Sequence, residues 1–400
     1  MRDADQIEIS AGRRLRTLAV GGVAVVVVAA ALLAGGVRPQ LEAPAVSRPS
    51  PSPRASLSPE PSRVDDVQFV SPSVGFAQLA RRPQTAAVGL FSSHDGGRTW
   101  SHEWEGALFS FRFFDAAHGV LATAGGLQVT ADGGSTWAFR GWPEPGSPAA
   151  VAFADRVTGL ALFGEAPVQM GSAEAVRIYR TVDAGLHWSL AGATSGPPVG
   201  LPLLGHKSQL GMAAGGLAWL AVTDPHYLRT IYVSRDWGGY WSPIAMPAAP
   251  DSDLVAPLVT LGGAGGVLTL VVQWVLGPAR SEDPGVAYSV PPGKVPSFLY
   301  LLGPDRSDWE TVPLPSQPYG DLALDYRPDG GGYLLGGDLF CRLGRTGTTL
   351  CGGPGLGEVA IDRLDDLGSG ILVAVDHHFG LAYRSEDAGG HWSIVELPRS

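Results

Sequence analysis

Four hundred residues with 55 Gly, 33 Pro and 11 Trp, against 4 Met and 16% charged residues, describe a turn-rich, all-β chain. The formal charge of −10 is uneven: residues 1–63 hold 8 Arg against 5 acids, and residues 64–400 hold 20 Lys and Arg against 33 acids. An acidic body without a basic cluster argues against nucleic acid or anionic lipid as its partner.

Residues 1–16 are polar and end in Arg13, Arg14 and Arg16, which reads as a cytoplasmic N-terminus. Residues 17–36 then run for 20 positions without a charge, enough to span a bilayer as a helix. The arginines before this stretch keep the start inside and send the body out of the cytoplasm. The rival reading is a cleaved signal sequence ending at Ala34-Gly35-Gly36 and a secreted body. No Cys follows the apolar run, against a lipoprotein. Residues 37–63 are rich in Pro, Ser and Ala and read as an extended tether.

From residue 64 the chain repeats itself. The pattern Ser/Thr-x-Asp-x-Gly-x-x-Trp occurs at Ser93, Asp95, Gly97 and Trp100, at Thr130, Asp132, Gly134 and Trp137, and at Thr181, Asp183, Gly185 and Trp188. It returns at Ser234, Asp236, Gly238 and Trp241, and at Ser385, Asp387, Gly389 and Trp392. The gaps between the Trp positions are 37, 51, 53 and 151. At about 40–50 residues per unit the last gap holds two further units with worn boxes. One is Leu302–Trp309, which keeps the Trp; the other is Leu343–Leu350, which keeps only Gly347.

Around each box lie four short runs of β-branched and aromatic residues bounded by Gly, Pro or Asp. In the first unit these are 64–70, 74–80, 86–92 and 99–104. Four antiparallel strands per unit is a propeller blade, so residues 64–400 predict a seven-bladed β-propeller, or six blades if one worn copy is not a blade. The box reads as the hairpin between the third and fourth strands. Its Asp accepts N–H groups of its own turn, its Gly supplies positive φ, its Ser/Thr caps the outgoing strand, and its Trp packs on the neighbouring sheet. Five copies around a ring cannot all be one active site, so these Asp residues read as structural.

The boxes resemble the Asp-box repeat of bacterial neuraminidases across residues 64–400. The fuller units, Phe111-Arg112-Phe113-Phe114-Asp115-Ala116-Ala117-His118-Gly119-Val120 before Asp132–Trp137, and Val151-Ala152-Phe153-Ala154-Asp155-Arg156-Val157-Thr158-Gly159-Leu160, resemble the photosystem II stability/assembly factor type of propeller. That resemblance implies seven blades, an extracytoplasmic or lumenal body and a non-enzymatic assembly role. The family's ligand face is basic, whereas this body is acidic. Sialidases share the box but also need an Arg triad, a Tyr–Glu pair and a Phe/Tyr-Arg-Ile-Pro segment before the first box. The nearest phrase, Val176-Arg177-Ile178-Tyr179, lacks the Pro and reads as a strand of the third unit. A xyloglucanase-like plan needs only two carboxylates, and no pair singles itself out.

Cys341 and Cys351 flank Thr346, the centre of the second worn box, so an antiparallel hairpin brings them face to face as a disulfide. No cofactor is called for, and no metal: His377-His378 beside Asp376 reads as a solvated loop. A Gly-x-Ser-x-Gly elbow and a P-loop Lys are both absent. The second-to-third-strand connections share a face with the interblade connections, opposite the boxes. That sorting gathers Arg81, Arg82, Glu165, Asp224, His226, Tyr227, Asp376, His377 and His378 into a candidate ligand face. The longest insert, 275–296, adds Arg280, Glu282, Asp283, Tyr288 and Lys294. The expectation is a monomeric, membrane-anchored scaffold for a protein or glycan partner outside the cytoplasm, with a glycoside hydrolase as the alternative.

Overall fold

The computed structural model describes residues 63–81, 86–164, 174–195, 199–223, 229–251, 254–264, 267–276, 294–303, 305–318, 322–326, 331–336, 339–344, 349–352, 356, 361, 363–376 and 380–396. The apolar stretch 17–36 and the tether fall outside them. Among the described residues no helix is long and apolar enough to cross a membrane.

The described residues form seven four-stranded antiparallel sheets, each built from consecutive strands. Blade 1 is β1 (Arg63–Phe69), β2 (Gly75–Arg81), β3 (Ala86–Ser93) and β4 (Ser101–Glu105). Blade 2 is β5 (Ser110–Phe113), β6 (Gly119–Ala122), β7 (Gly126–Thr130) and β8 (Ala138–Gly141). Blade 3 is β9 (Ala150–Phe153), β10 (Gly159–Gly164), β11 (Val176–Thr181) and β12 (Ser189–Ala193). Blade 4 is β13 (His206–Met212), β14 (Ala218–Thr223), β15 (Arg229–Ser234) and β16 (Trp241–Ile244). Blade 5 is β17 (Leu254–Ala264), β18 (Val267–Leu276), β19 (Lys294–Leu302) and β20 (Glu310–Pro318). Blade 6 is β21 (Ala323–Tyr326), β22 (Gly332–Gly336), β23 (Leu339–Leu343) and β24 (Thr349–Cys351). Blade 7 is β25 (Arg363–Asp366), β26 (Leu372–Asp376), β27 (Leu381–Ser385) and β28 (Ser393–Ile394). Both worn copies are therefore blades, and the ring has seven.

The register repeats with the sequence. The first residue of each box pairs with the first residue of the second strand, as in Gly75↔Ser93, Gly119↔Thr130 and Gly159↔Thr181. The worn copies stay close to it: Gly332↔Leu343 keeps the register, and Leu268↔Leu302 falls one residue inside β18. Glycine opens the second strand of the first three blades because an aromatic ring from the inner strand lies over it. A Cβ on Gly75, Gly119 or Gly159 would stand 2.5–2.6 Å from Phe69, Phe113 or Phe153.

The box closes as a small hydrogen-bonded unit. Ser93 Oγ sits inside the turn, accepting the Gly97 N–H at 2.8 Å and donating to Asp95 at 2.9 Å, rather than capping the outgoing strand. Asp95 accepts the N–H groups of Arg98 and Thr99 at 3.0 and 2.8 Å and the Thr99 hydroxyl at 2.6 Å. In the third and seventh copies the rings of His187 and His391 replace that hydroxyl on Asp183 and Asp387. Positive φ is needed at two successive positions. The second is the motif Gly (Gly97 +89°, Gly185 +83°), and the first is borne without glycine by Ala184, Trp237 and Ala388, at a cost of about 1 kcal/mol each. That first residue donates its N–H to the turn between the first and second strands, as Gly96 does to Ser73 O at 2.9 Å and Gly133 to Ala117 O at 2.8 Å. The boxes and these inner turns thus share one face.

The core lies between blades. Each blade presents apolar side chains on both faces, and seven hydrophobic clusters fill the seven interfaces, blade 7 on blade 1 included. The box tryptophans point toward the preceding blade. The indole N–H of Trp137 reaches Glu103 O of blade 1, that of Trp309 reaches Ala245 O beyond blade 4, and that of Trp100 reaches Glu396 O beyond blade 7. Trp241 is fully buried against Leu160 and Ile178 of blade 3. Blade 6 has no box Trp, and Leu350, which stands in its place, is 76% exposed. That blade holds Cys341 and Cys351 directly opposite one another and joined as a disulfide.

Two outcomes follow. Trp241→Ala removes the most buried of these wedges and should lower stability by about 3–5 kcal/mol in urea unfolding. Asp95 is held at a pKa of about 2, first by the Thr99 hydroxyl and then by its N–H, and Asp387 at about 2 by the His391 ring and N–H. Because these folded values lie below the ordinary carboxylate value of about 4, their contribution is present above it and lost as pH falls toward 2. A midpoint of thermal unfolding that stayed flat down to pH 2 would contradict this.

Candidate functional site

The first strands of all seven blades surround a central channel of about 680 Å³. One residue per blade forms a layer around it: the one before the inner-strand position that lies across the second strand from the box's first residue. These are Gln68, Arg112, Ala152, Gly211, Gly262, Asp325 and Asp365, and every one lines the channel.

On one arc of this layer the side chains stitch neighbouring inner strands together. Gln68 Oε1 accepts the Phe113 N–H at 2.8 Å while its amide donates to Phe113 O at 2.8 Å, tying blade 1 to blade 2. Asp325 accepts the Asp366 N–H at 2.6 Å, tying blade 6 to blade 7. Asp365 stands at the seam of blades 7 and 1, its Oδ1 on Arg363 and its Oδ2 buried without a hydrogen-bond partner among the described residues. Arg363 completes that seam, with Asp66 at 3.0 Å and Asp365 at 3.2 Å. The three groups are each less than one-third exposed, with side chains at 28%, 28% and 22%. Burial raises the Asp365 pKa and the Arg363 guanidinium opposes it. For Arg363 the two carboxylates outweigh burial and push the pKa up.

The opposite arc carries Ala152, Gly211 and Gly262. Gly211 is required by packing, since a Cβ there would lie 2.1 Å from the Trp219 ring. Arg112 stands between the arcs. Its guanidinium opens onto the channel and passes 5.7 Å from the Phe114 ring, and among the described residues it has no carboxylate partner. The side chain is exposed to the channel space; the surrounding walls lower its pKa first, the charge of Arg363 adds to this, and Asp365 opposes.

Most of the residues gathered from the sequence on the box-opposite face lie outside the described residues: Arg82, Glu165, Asp224, His226, Tyr227, Arg280, Glu282, Asp283, Tyr288, His377 and His378. Arg81 ends β2. One assignment is corrected. Lys294 belongs to β19, paired with Pro318, because the strand extends back into the insert. Arg177 and Tyr179 do lie in a strand, β11, but they converge on a residue the sequence did not single out. Glu144 accepts from Arg177 Nη2 at 3.1 Å and from the Tyr179 hydroxyl at 2.9 Å. No group of His, Cys, Asp and Glu among the described residues could hold a metal ion.

A channelled ring of seven four-stranded sheets defines a seven-bladed β-propeller. No protein-family model matches the chain, and no curated protein does. Among solved structures, YCF48 from Cyanidioschyzon merolae is similar at 14% identity and TM-score 0.52, over 80% of this chain and 95% of that one. YCF48 bound to a D1 peptide follows at 18% identity and TM-score 0.43, over 72% and 81%. The GH74 xyloglucanase from Xanthomonas campestris gives 17% identity and TM-score 0.36, over 84% and 45%. At these identities the likeness is one of fold.

Arg363→Met would leave Asp66 and Asp365 half-buried without their cation. It should cost about 3 kcal/mol in urea unfolding, and neutralising both carboxylates in the same variant should recover most of the loss.

Proposed function

We propose that the chain is a membrane-anchored, extracytoplasmic propeller that acts as a non-enzymatic binding scaffold for a protein or glycan partner. The observation that carries this reading is the use of the channel carboxylates. Asp66 and Asp365 hold Arg363, and Asp325 holds the Asp366 N–H of the next blade. Glycoside hydrolysis needs two carboxylates that face the sugar, one of them exchanging a proton. Here each described channel carboxylate already serves the frame, and freeing it would open a seam between blades.

A rigid ring with variable second-to-third-strand connections suits recognition by loops on a fixed support. The residues gathered there include the longest connection, between β18 and β19. The charge-free stretch 17–36, with arginines before it, supports anchoring with the body outside.

The full chain incubated with a panel of aryl glycosides should release no chromophore, and release above a heat-killed control would overturn the scaffold reading. Capture from solubilised membranes should retain a partner that shortening the 277–293 connection abolishes.

A further inference from the structure

We infer that the central channel binds a small organic acid, its carboxylate paired with Arg112 and its body lying against the arc of Ala152, Gly211 and Gly262. This site is independent of the partner-binding surface proposed above.

Two guanidinium groups reach the channel, and they differ in what surrounds them. Arg363 is bracketed by two carboxylates at 3.0 and 3.2 Å and has no need of a third. Arg112 occupies the layer position where Gln68 and Asp325 accept N–H groups from the next blade, a task a guanidinium cannot perform because it has no acceptor. It therefore projects into the channel. Its guanidinium passes 5.7 Å from the Phe114 ring, feels Asp365 and Arg363 only at longer range, and has no ion pair among the described residues. A cation left in a walled space favours an anion there, and the planar fork of Arg matches a carboxylate in two parallel hydrogen bonds.

The space fits as well. A channel of about 680 Å³ lies within the range of roughly 300–1,000 Å³ typical of small-molecule sites. Blades 3, 4 and 5 send no long side chain from the layer into it, so the room lies on the side of the channel away from the acids. Phe153, Met212 and Trp219 supply apolar wall on that side. The acids of the layer are already engaged: Asp365 with Arg363, and Asp325 with the Asp366 N–H. They do not neutralise Arg112 directly. The combination of one cation, apolar wall and limited volume selects a compact acid over a polymer.

Calorimetric titration of the full chain with benzoate, glutarate and glucuronate, each beside its neutral amide, tests this. At least one acid should bind, with its amide at least tenfold weaker. Arg112→Gln should weaken that acid at least tenfold, and Arg112→Lys, which keeps charge but not the fork, should fall between. Circular dichroism and the unfolding midpoint establish that each variant is folded; if Arg112→Gln is not, Arg112→Lys and the acid–amide comparison on the unaltered chain decide. Binding of none of the three acids at concentrations on the order of 10 mM, amides binding as well as acids, or undiminished binding in folded Arg112→Gln would each overturn the proposal.

Discussion

The indole at the start of the fourth strand, present in six of the seven blades, is what makes seven separate sheets into one ring. No strand is exchanged between blades, so every blade boundary depends on side chains. A Trp placed directly after a tight, fully hydrogen-bonded turn has little freedom of its own, and it delivers a large apolar ring to the preceding blade together with one N–H. Trp137, Trp309 and Trp100 find a backbone carbonyl there, whereas the indole nitrogens of Trp188 and Trp392 are buried without one and rely on packing. The box exists to hold that ring at the right angle. Where blade 6 has lost it, the Cys341–Cys351 bridge secures the same hairpin by a covalent route.

Nearer the axis a second device operates, and unequally. Blades 6, 7, 1 and 2 are joined by polar side chains reaching the next inner strand, while blades 3, 4 and 5 meet through packing alone at that layer. Trp219, the largest aromatic side chain of the inner wall, falls on the packed arc. The division concentrates charge on one side of the channel and leaves the other side smooth. A frame built this way makes its own asymmetry, and the binding properties of the channel follow from how its blades are fastened.

The blade count, the four strands per blade and the disulfide were all legible, because each rests on short-range pattern: the box spacing, runs of β-branched residues, and two cysteines symmetric about one turn. The two worn copies were recoverable because register survives when the box residues do not, as Gly332↔Leu343 shows. The channel layer was harder to see. Its residues, Gln68 through Asp365, follow no common residue type and are related only by their place near the end of an inner strand. The recurring Phe69, Phe113 and Phe153 marked that place in three blades, and aligning the others on it would have brought Arg112 beside Asp325 and Asp365. Glu144 gave no such signal, since it lies between blades where nothing repeats.

The seam between blades 7 and 1 differs from the other six in one respect. Its contacts join residues nearly 300 positions apart, 297 for Arg363 with Asp66 and 296 for Trp100 with Glu396. Elsewhere each blade meets a neighbour made just before it. During synthesis, then, blades can assemble one after another from the first onward, yet Trp100 and the apolar face of blade 1 stay uncovered until the last blade emerges. The entropy of closing so long a loop grows only with the logarithm of its length, so the difficulty lies in waiting rather than in closing. Until the final strands are made, the first blade carries an exposed adhesive face, and a chain truncated before residue 363 would keep it permanently.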